Sequence, residues 1–122
     1  MVPPNITPDV DTGIGEWTNV QIVNALRNGR RPDDKLIGPP MLILVYRELS
    51  DNDASAIATY LLALKPIKHE VPRTVYTIPL PPDCGPPVTY VAEPSPTDKL
   101  TYGKYLVTFG HCVLCHSRAG KD

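Results

Sequence analysis

Near its C-terminal end the sequence carries two cysteines three positions apart, Cys112 and Cys115, with His116 directly after the second. This Cys-x-x-Cys-His spacing is the attachment pattern of c-type haem. Two thiols about one helical turn apart can each add to a vinyl group of the porphyrin and form a thioether, while the adjacent imidazole binds the iron. We therefore predict haem c as the cofactor, with Cys112 and Cys115 as thioether residues and His116 as the proximal ligand.

The same pair of cysteines has other interpretations. A thioredoxin-like dithiol site needs a βαβ setting, and no alternating strand pattern is readable. A zinc site needs four ligands, and the one further thiol, Cys84, is isolated among prolines. A zinc-binding or dithiol redox module, and a gene fragment without a function of its own, remain as alternatives.

A methionine sulfur could be the second axial ligand of the iron. The sequence has two methionines, Met1 and Met41. Met41 follows a Gly-Pro-Pro run, and a loop stiffened by proline suits a soft, weak sixth ligand that must keep its place when the iron changes oxidation state. Apolar residues from Leu42 to Val45 follow directly, so a buried core methionine is the competing interpretation. We predict Met41 as a candidate distal haem ligand.

Three helices must position these residues. Each begins after a capping residue, carries apolar residues at helical spacing, and ends at glycine or proline. They run from Thr18 to Gly29, from Ser50 to Pro66, and from Thr97 or Asp98 to Gly110. No convincing strand is present, so the predicted fold class is all-α with long loops.

Nine of the 15 prolines lie between Pro66 and Pro96. Proline fixes φ and removes a hydrogen-bond donor, so this density predicts extended chain, and we interpret residues 67–97 as a semi-rigid linker. The alternative is a structured loop that wraps a domain surface and packs six apolar side chains against it: Val71, Val75, Tyr76, Ile78, Tyr90 and Val91.

Charge and hydropathy exclude other classes of function. Twelve basic and 13 acidic residues give a net charge of −1 without a basic cluster, so no nucleic-acid partner is expected. The longest apolar run, Met41 to Tyr46, is far short of the roughly 20 residues that span a bilayer. The first residues show neither the basic nor the apolar region of a signal peptide.

Several stretches resemble one family: NITPD from Asn5, TGIGEW from Thr12, ALRNG from Ala25, PPM ending at Met41, LSD from Leu49, YGKYLV from Tyr102 and GHCVLCH from Gly110. The family is the multi-haem c-type cytochromes that serve as cytochrome subunits of bacterial alcohol, aldehyde and sugar-acid dehydrogenases. One departure is that the family usually has proline after this methionine, where this sequence has Leu42.

The resemblance implies cytochrome c-like helices arranged as partial halves of two consecutive haem domains. Residues 1–66 resemble the C-terminal half of one haem domain, with the distal methionine loop and last helix. Residues 67–97 resemble an interdomain linker, and residues 98–122 resemble the start of the next domain. The chain then looks truncated at both ends, and Met41 and His116 serve different haems. A circularly permuted domain, with both residues on one iron, is a further hypothesis.

The resemblance also implies a role. The parent protein is expected to be an electron carrier and not itself an enzyme, accepting electrons from a dehydrogenase catalytic subunit and passing them to quinone or an oxidase. The expected location is the periplasm or the periplasmic face of the inner membrane, with a parent protein associated with that membrane.

Overall fold

The structure is a computed structural model that describes residues 2–116; Met1 and residues 117–122, the end of the predicted segment 98–122, lie outside the described residues. Regular structure within residues 2–116 is helical, apart from one isolated bridge between Arg30 and Leu36. This agrees with the predicted all-α class. The helices are α1 (Asn19–Asn28), α2 (Ile43–Tyr46), α3 (Asp51–Ala63), α4 (Lys99–Phe109) and α5 (Cys112–His116).

The start and end of α1 follow from local sequence. Thr18 accepts a hydrogen bond from the Gln21 backbone N–H, and the Gln21 side chain accepts one from the Thr18 N–H, which completes a capping box. Gly29 adopts φ 65° and its N–H donates to the Ala25 carbonyl, as a left-handed C-cap requires. The prediction from spacing is confirmed for both ends.

The other two predicted helices are confirmed, but the C-terminal end of α3 lies earlier than predicted. Ser50 caps α3 by accepting a hydrogen bond from the Asp53 N–H at 3.1 Å, and Asp98 caps α4 by accepting one from the Thr101 N–H at 3.1 Å. Helix α3 ends at Ala63, and Leu64 is already extended. The chain leaves the helix before Pro66 because a proline ring makes the helical backbone conformation unfavourable for the residue that precedes it.

The sequence pattern did not predict α2 and α5. They have four and five residues, which is too short for apolar residues to repeat at 3.6-residue spacing. Helix α2 lies in the apolar run after Met41, and α5 carries the Cys-x-x-Cys-His motif. None of the helices in the described part of the chain is long and apolar enough to cross a membrane.

The core lies where α1 packs against α3. Ile22 of α1, Ala58 of α3 and Ile14 from the loop before α1 form its buried centre, and Trp17 and Leu26 pack around it. Ala58 is fully buried, and a side chain this small lets α1 approach the α3 backbone closely. Removal of these side chains from water is the main stabilising contribution here.

The proline-rich segment, residues 67–97, is hydrogen-bonded to the helical part through its backbone. The Asn28 side chain accepts from the Val88 N–H at 2.8 Å and donates to the Val88 carbonyl at 3.2 Å. Asp51 accepts from the Val91 N–H through its carboxylate, and its own N–H donates to the Val91 carbonyl, both at 3.0 Å. Groups of the helical part thus satisfy backbone groups that an extended segment leaves unpaired.

Three of the six apolar side chains that the structured-loop interpretation expects to pack against the domain surface are half-buried. Val71, Tyr76 and Val91 are half-buried, whereas Val75, Ile78 and Tyr90 are exposed. The segment therefore follows the surface of the first three helices along at least part of its length. The division of the chain into haem-domain halves at 1–66, 67–97 and 98–122 stays a prediction.

Gly13→Ala is expected to destabilise the fold by about 1–3 kcal/mol, the range for overpacking. A Cβ at Gly13 would lie 2.1 Å from the Thr7 carbonyl oxygen, within a loop where the Ile14 N–H donates to that same oxygen at 2.9 Å. Because the obstacle is backbone, the loop must move. Urea denaturation followed by circular dichroism measures the loss.

Gly103→Ala is the matched control, because nothing lies within 4 Å of a Cβ at this position in α4. Alanine there is expected to stabilise α4 by up to about 1 kcal/mol, since glycine is a poor helix former. Equal effects of the two substitutions would contradict the crowding at Gly13.

Candidate haem site

The motif helix begins at a sharp change of chain direction after α4. The Gly110 N–H donates to the Leu106 carbonyl at 2.7 Å and ends α4. His111 then adopts φ 57°, the left-handed region that non-glycine residues rarely occupy. This conformation ends the path of α4, so Cys112 becomes the first residue of a separate helix, α5.

All three predicted attachment residues lie on α5. Relative to Cys112, Cys115 is at position i+3 and His116 at i+4, so one face of the helix presents both thiols and the imidazole. Cys112 and Cys115 are exposed free thiols, and His116 is also exposed. The donor set and its accessibility fit the attachment of haem c by two thioethers and one imidazole.

Helix α5 is held near the rest of the molecule by the residue that precedes it. The imidazole of His111 meets the ring of Tyr46, the last residue of α2, edge to face, with centroids 5.3 Å apart and planes at 64°. The Nε2 atom of His111 is buried and has no hydrogen-bond partner within residues 2–116. Tyr46 was not singled out from the sequence, where it is only the end of an apolar run.

Tyr105 is a second residue whose role the sequence did not reveal. Its hydroxyl accepts from the Ser50 N–H at 3.1 Å and donates to the Asp53 carboxylate. Partial burial and the bond to Asp53 raise the pKa of Tyr105 above its usual value, so the hydroxyl keeps its proton as a donor. From spacing alone, Tyr105 is one apolar-face residue of a helix, and no local signal indicates its partners.

Met41 lies in an apolar pocket. Its N–H donates to the Gly38 carbonyl at 3.4 Å, which closes a turn, and its side chain is half-buried. The pocket has a volume of about 240 Å³, and Leu80 and Cys84 of the proline-rich segment form part of its wall. Apolar surroundings fit a thioether as a weak haem ligand.

The structure does not bring Met41 together with the motif helix in one cavity. Of the α5 residues whose side chains the structure describes, Cys112, Cys115 and His116, none lines the Met41 pocket. Cys84, which is isolated among prolines in the sequence, is half-buried and lines this pocket. The assignments of Met41, Cys112, Cys115 and His116 as haem residues stay predictions, as does the hypothesis of one shared iron.

A buried arginine fixes the chain that follows the Met41 loop. The Arg27 side chain is 3% exposed, and its guanidinium donates to the Leu49 carbonyl at 2.5 Å and pairs with Asp51 at 2.7 Å. The Val91 N–H and, next, the Arg27 guanidinium lower the pKa of Asp51 below its ordinary value of 3.8. The contacts of Arg27 with Leu49 and Asp51 join α1 to the start of α3.

Residues 2–116 contain no cluster of three or more His, Cys, Asp or Glu side chains arranged to hold a metal ion. A pocket of about 610 Å³ with both polar and apolar walls lies between α1 and the proline-rich segment, with Asn24, Arg30 and Asp83 among its lining residues.

Comparison of the chain with known proteins finds relatives that are cytochrome subunits of bacterial dehydrogenases. No protein-family profile matches it. It is 32% identical to a subunit of the nicotinate dehydrogenase of Pseudomonas putida and to the fructose dehydrogenase cytochrome subunit of Gluconobacter japonicus, over 93% of this chain in each case. It is also 32% identical, over 95% of its length, to the cytochrome c subunit of the quinone-dependent alcohol dehydrogenase of Gluconobacter oxydans.

The chain spans 10%, 26% and 27% of the lengths of these three relatives, in the same order. The matches nevertheless extend over more than nine-tenths of this sequence, and they confirm the family resemblance predicted from its residues. Along more than nine-tenths of its length, the chain is homologous to cytochrome c subunits of bacterial dehydrogenases.

Proposed function

We propose that the protein represented by this chain transfers electrons through covalently bound haem c. The observation that supports this most is that Cys112, Cys115 and His116 lie on one face of α5 and are all exposed. When bound, haem supplies an iron that cycles between the ferrous and ferric states. The chain's own residues hold that group and make no bond to a substrate, so the role is that of a carrier.

Each residue of the site has a distinct task. Cys112 and Cys115 hold the porphyrin through thioethers, and His116 is the proximal iron ligand. Met41 is the distal ligand of a haem other than the one held by α5, as the separate Met41 pocket supports. Ligation by His and Met raises the reduction potential of haem, which suits an acceptor of electrons from a dehydrogenase.

The relatives' names indicate where such a carrier works. The fructose and alcohol dehydrogenase relatives are cytochrome subunits, so we propose a dehydrogenase catalytic subunit as electron donor and quinone or an oxidase as acceptor. Attachment of haem c takes place outside the cytoplasm, so the proposed location is the periplasm or the periplasmic face of the inner membrane.

The proposal is tested by exporting the whole chain to the periplasm of a bacterium that attaches haem c. We expect one covalent haem per chain, detected by haem staining after denaturing electrophoresis, and reversible reduction by dithionite and oxidation by ferricyanide. Stoichiometric zinc without haem would contradict the proposal and favour a zinc module. A chain with neither haem nor metal would indicate a fragment without this function.

The same haem-loaded chain separates the two hypotheses for Met41. If Met41 serves another haem, Met41→Ala leaves the reduction potential of the α5-bound haem unchanged. A fall in potential relative to the neighbouring exposed-residue variant Leu44→Ala would show instead that Met41 and His116 bind one iron.

A further inference from the structure

The backbone N–H of Ser50 finds its hydrogen-bond acceptor on α4. Ser50 is fully buried, and within residues 2–116 its N–H donates to one acceptor, the hydroxyl of Tyr105 at 3.1 Å. The same hydroxyl donates to Asp53 in the first turn of α3. A buried N–H without a partner is costly, so Tyr105 completes the N-terminal cap of a helix 55 residues away in sequence.

His111 makes the second contact between the same parts of the chain. A left-handed backbone is unfavourable for any residue with a Cβ, yet His111 adopts it with φ 57°. The edge-to-face contact of its ring with Tyr46, at 5.3 Å, offsets part of that cost. Glycine would satisfy the turn with less strain but would leave Tyr46 without this ring.

These two contacts join α4 and the residue after its C-cap to α3 and α2. No side chain of α4 is buried, and two of its apolar residues, Leu100 and Val107, are 85% and 44% exposed. The apolar side chains of α4 are therefore half-buried at most. The Tyr105 bonds and the Tyr46–His111 contact set the register of α4 and α5 on α2 and α3.

We propose that Tyr105 and His111 are positioning residues that hold α4 and the start of the haem-attachment helix α5 beside α2 and α3, and so set the geometry between the α5 site and the Met41 loop. Tyr46 lies five positions after Met41, and His111 directly precedes Cys112, so the ring contact joins the two predicted haem-binding elements. The positioning role rests on the proposed function, whereas the contact between α4 and α3 does not.

The contact is tested first in the whole chain without haem. In Tyr105→Phe the Ser50 N–H loses its acceptor, and its hydrogen exchange is expected to become about tenfold faster, since a net hydrogen bond is worth about a factor of ten. Tyr102→Phe is the matched control on the same helix, because the Tyr102 hydroxyl has no hydrogen bond within residues 2–116. Unchanged exchange at Ser50 in Tyr105→Phe would overturn the contact.

The positioning role is tested by NMR of the haem-loaded chain. Paramagnetic shifts of Leu44 and Tyr46, measured between the ferric form and the diamagnetic ferrous carbon monoxide form, report how near the α5-bound haem lies to α2. We expect such shifts in the unmodified chain and a reduction of them in both Tyr105→Phe and His111→Gly. The Tyr102→Phe control is expected to retain them.

The possible failures are distinguishable. If haem is attached and the shifts at α2 are absent, or persist unchanged in both variants, the positioning role is wrong while the proposed function stands. If no haem is attached, the proposed function fails and the positioning role fails with it, and the exchange of the Ser50 N–H still decides the contact between α4 and α3.

Discussion

Replacing Cys112 and Cys115 together by serine is expected to leave the exported, denatured chain without any haem. The two thiols lie on one face of α5 and are free and exposed, and a hydroxyl does not form the thioether that survives denaturation. Haem staining after denaturing electrophoresis measures this loss, with the amount of chain determined by protein staining of the same gel. Each single serine variant retains one thiol and is expected to keep a reduced amount of haem.

Cys84→Ser is the control for this experiment. Cys84 is half-buried beside the Met41 pocket and has no second cysteine at the attachment spacing, so its removal is expected to leave the haem content unchanged. Haem retained at the normal level in the double variant would contradict the assignment of the attachment residues. Loss of haem in Cys84→Ser would show that this thiol takes part.

Arg27→Ala is expected to lower the free energy of unfolding by about 3 kcal/mol, near the lower end of the range for breaking a buried ion pair. The side chain is 3% exposed, so its loss leaves a cavity and removes the donor to the Leu49 carbonyl. Asp51 is 44% exposed and can be hydrated, which keeps the loss below that of a fully buried pair. Urea denaturation followed by circular dichroism gives the value.

Arg73→Ala is the matched control, because Arg73 also pairs with an aspartate, Asp33, at 3.4 Å but is 65% exposed. Exposed pairs of this kind contribute about 0–1 kcal/mol. Equal losses in the two arginine variants would contradict the structural role of Arg27.

The pH dependence gives a second check on the Arg27 contact. The folded pKa of Asp51 lies below its ordinary value of 3.8, so its stabilising contribution is complete above that value and is lost as pH falls through the folded pKa. The Val91 N–H is the first cause of the shift and Arg27 the next. Arg27→Ala is therefore expected to reduce the acid dependence due to Asp51 without abolishing it.

Local sequence determined the helix boundaries where a cap lies within a few residues. Thr18 and Gln21 specify the start of α1, and Gly29 its end, because each cap is formed by groups within four residues of one another. Once the structure forms α5, the motif spacing places Cys112, Cys115 and His116 on one helix face, since positions i, i+3 and i+4 lie together on any α-helix.

Tertiary structure alone decided which distant groups meet. The bond of Tyr105 to Ser50 joins residues 55 positions apart, and the pairing of Asn28 with Val88 joins residues 60 apart. The residues around Tyr105 and Asn28 in the sequence do not indicate these partners. A hydroxyl or an amide can also form its hydrogen bonds with water. The burial of Arg27 is of the same kind, since an arginine on an amphipathic helix is typical of the exposed face.

The predicted chemistry of the site rests on five consecutive residues, while its surroundings could not be predicted from the sequence. Cys-x-x-Cys-His predicts haem c as the cofactor, because covalent attachment depends on residue types and local spacing. The pocket around Met41 and the contact of His111 with Tyr46 depend on how the proline-rich segment and α4 return to the first three helices. The positions of the proline-rich segment and α4 on these helices depend on long-range hydrogen bonds and packing, which cannot be predicted from a local sequence pattern.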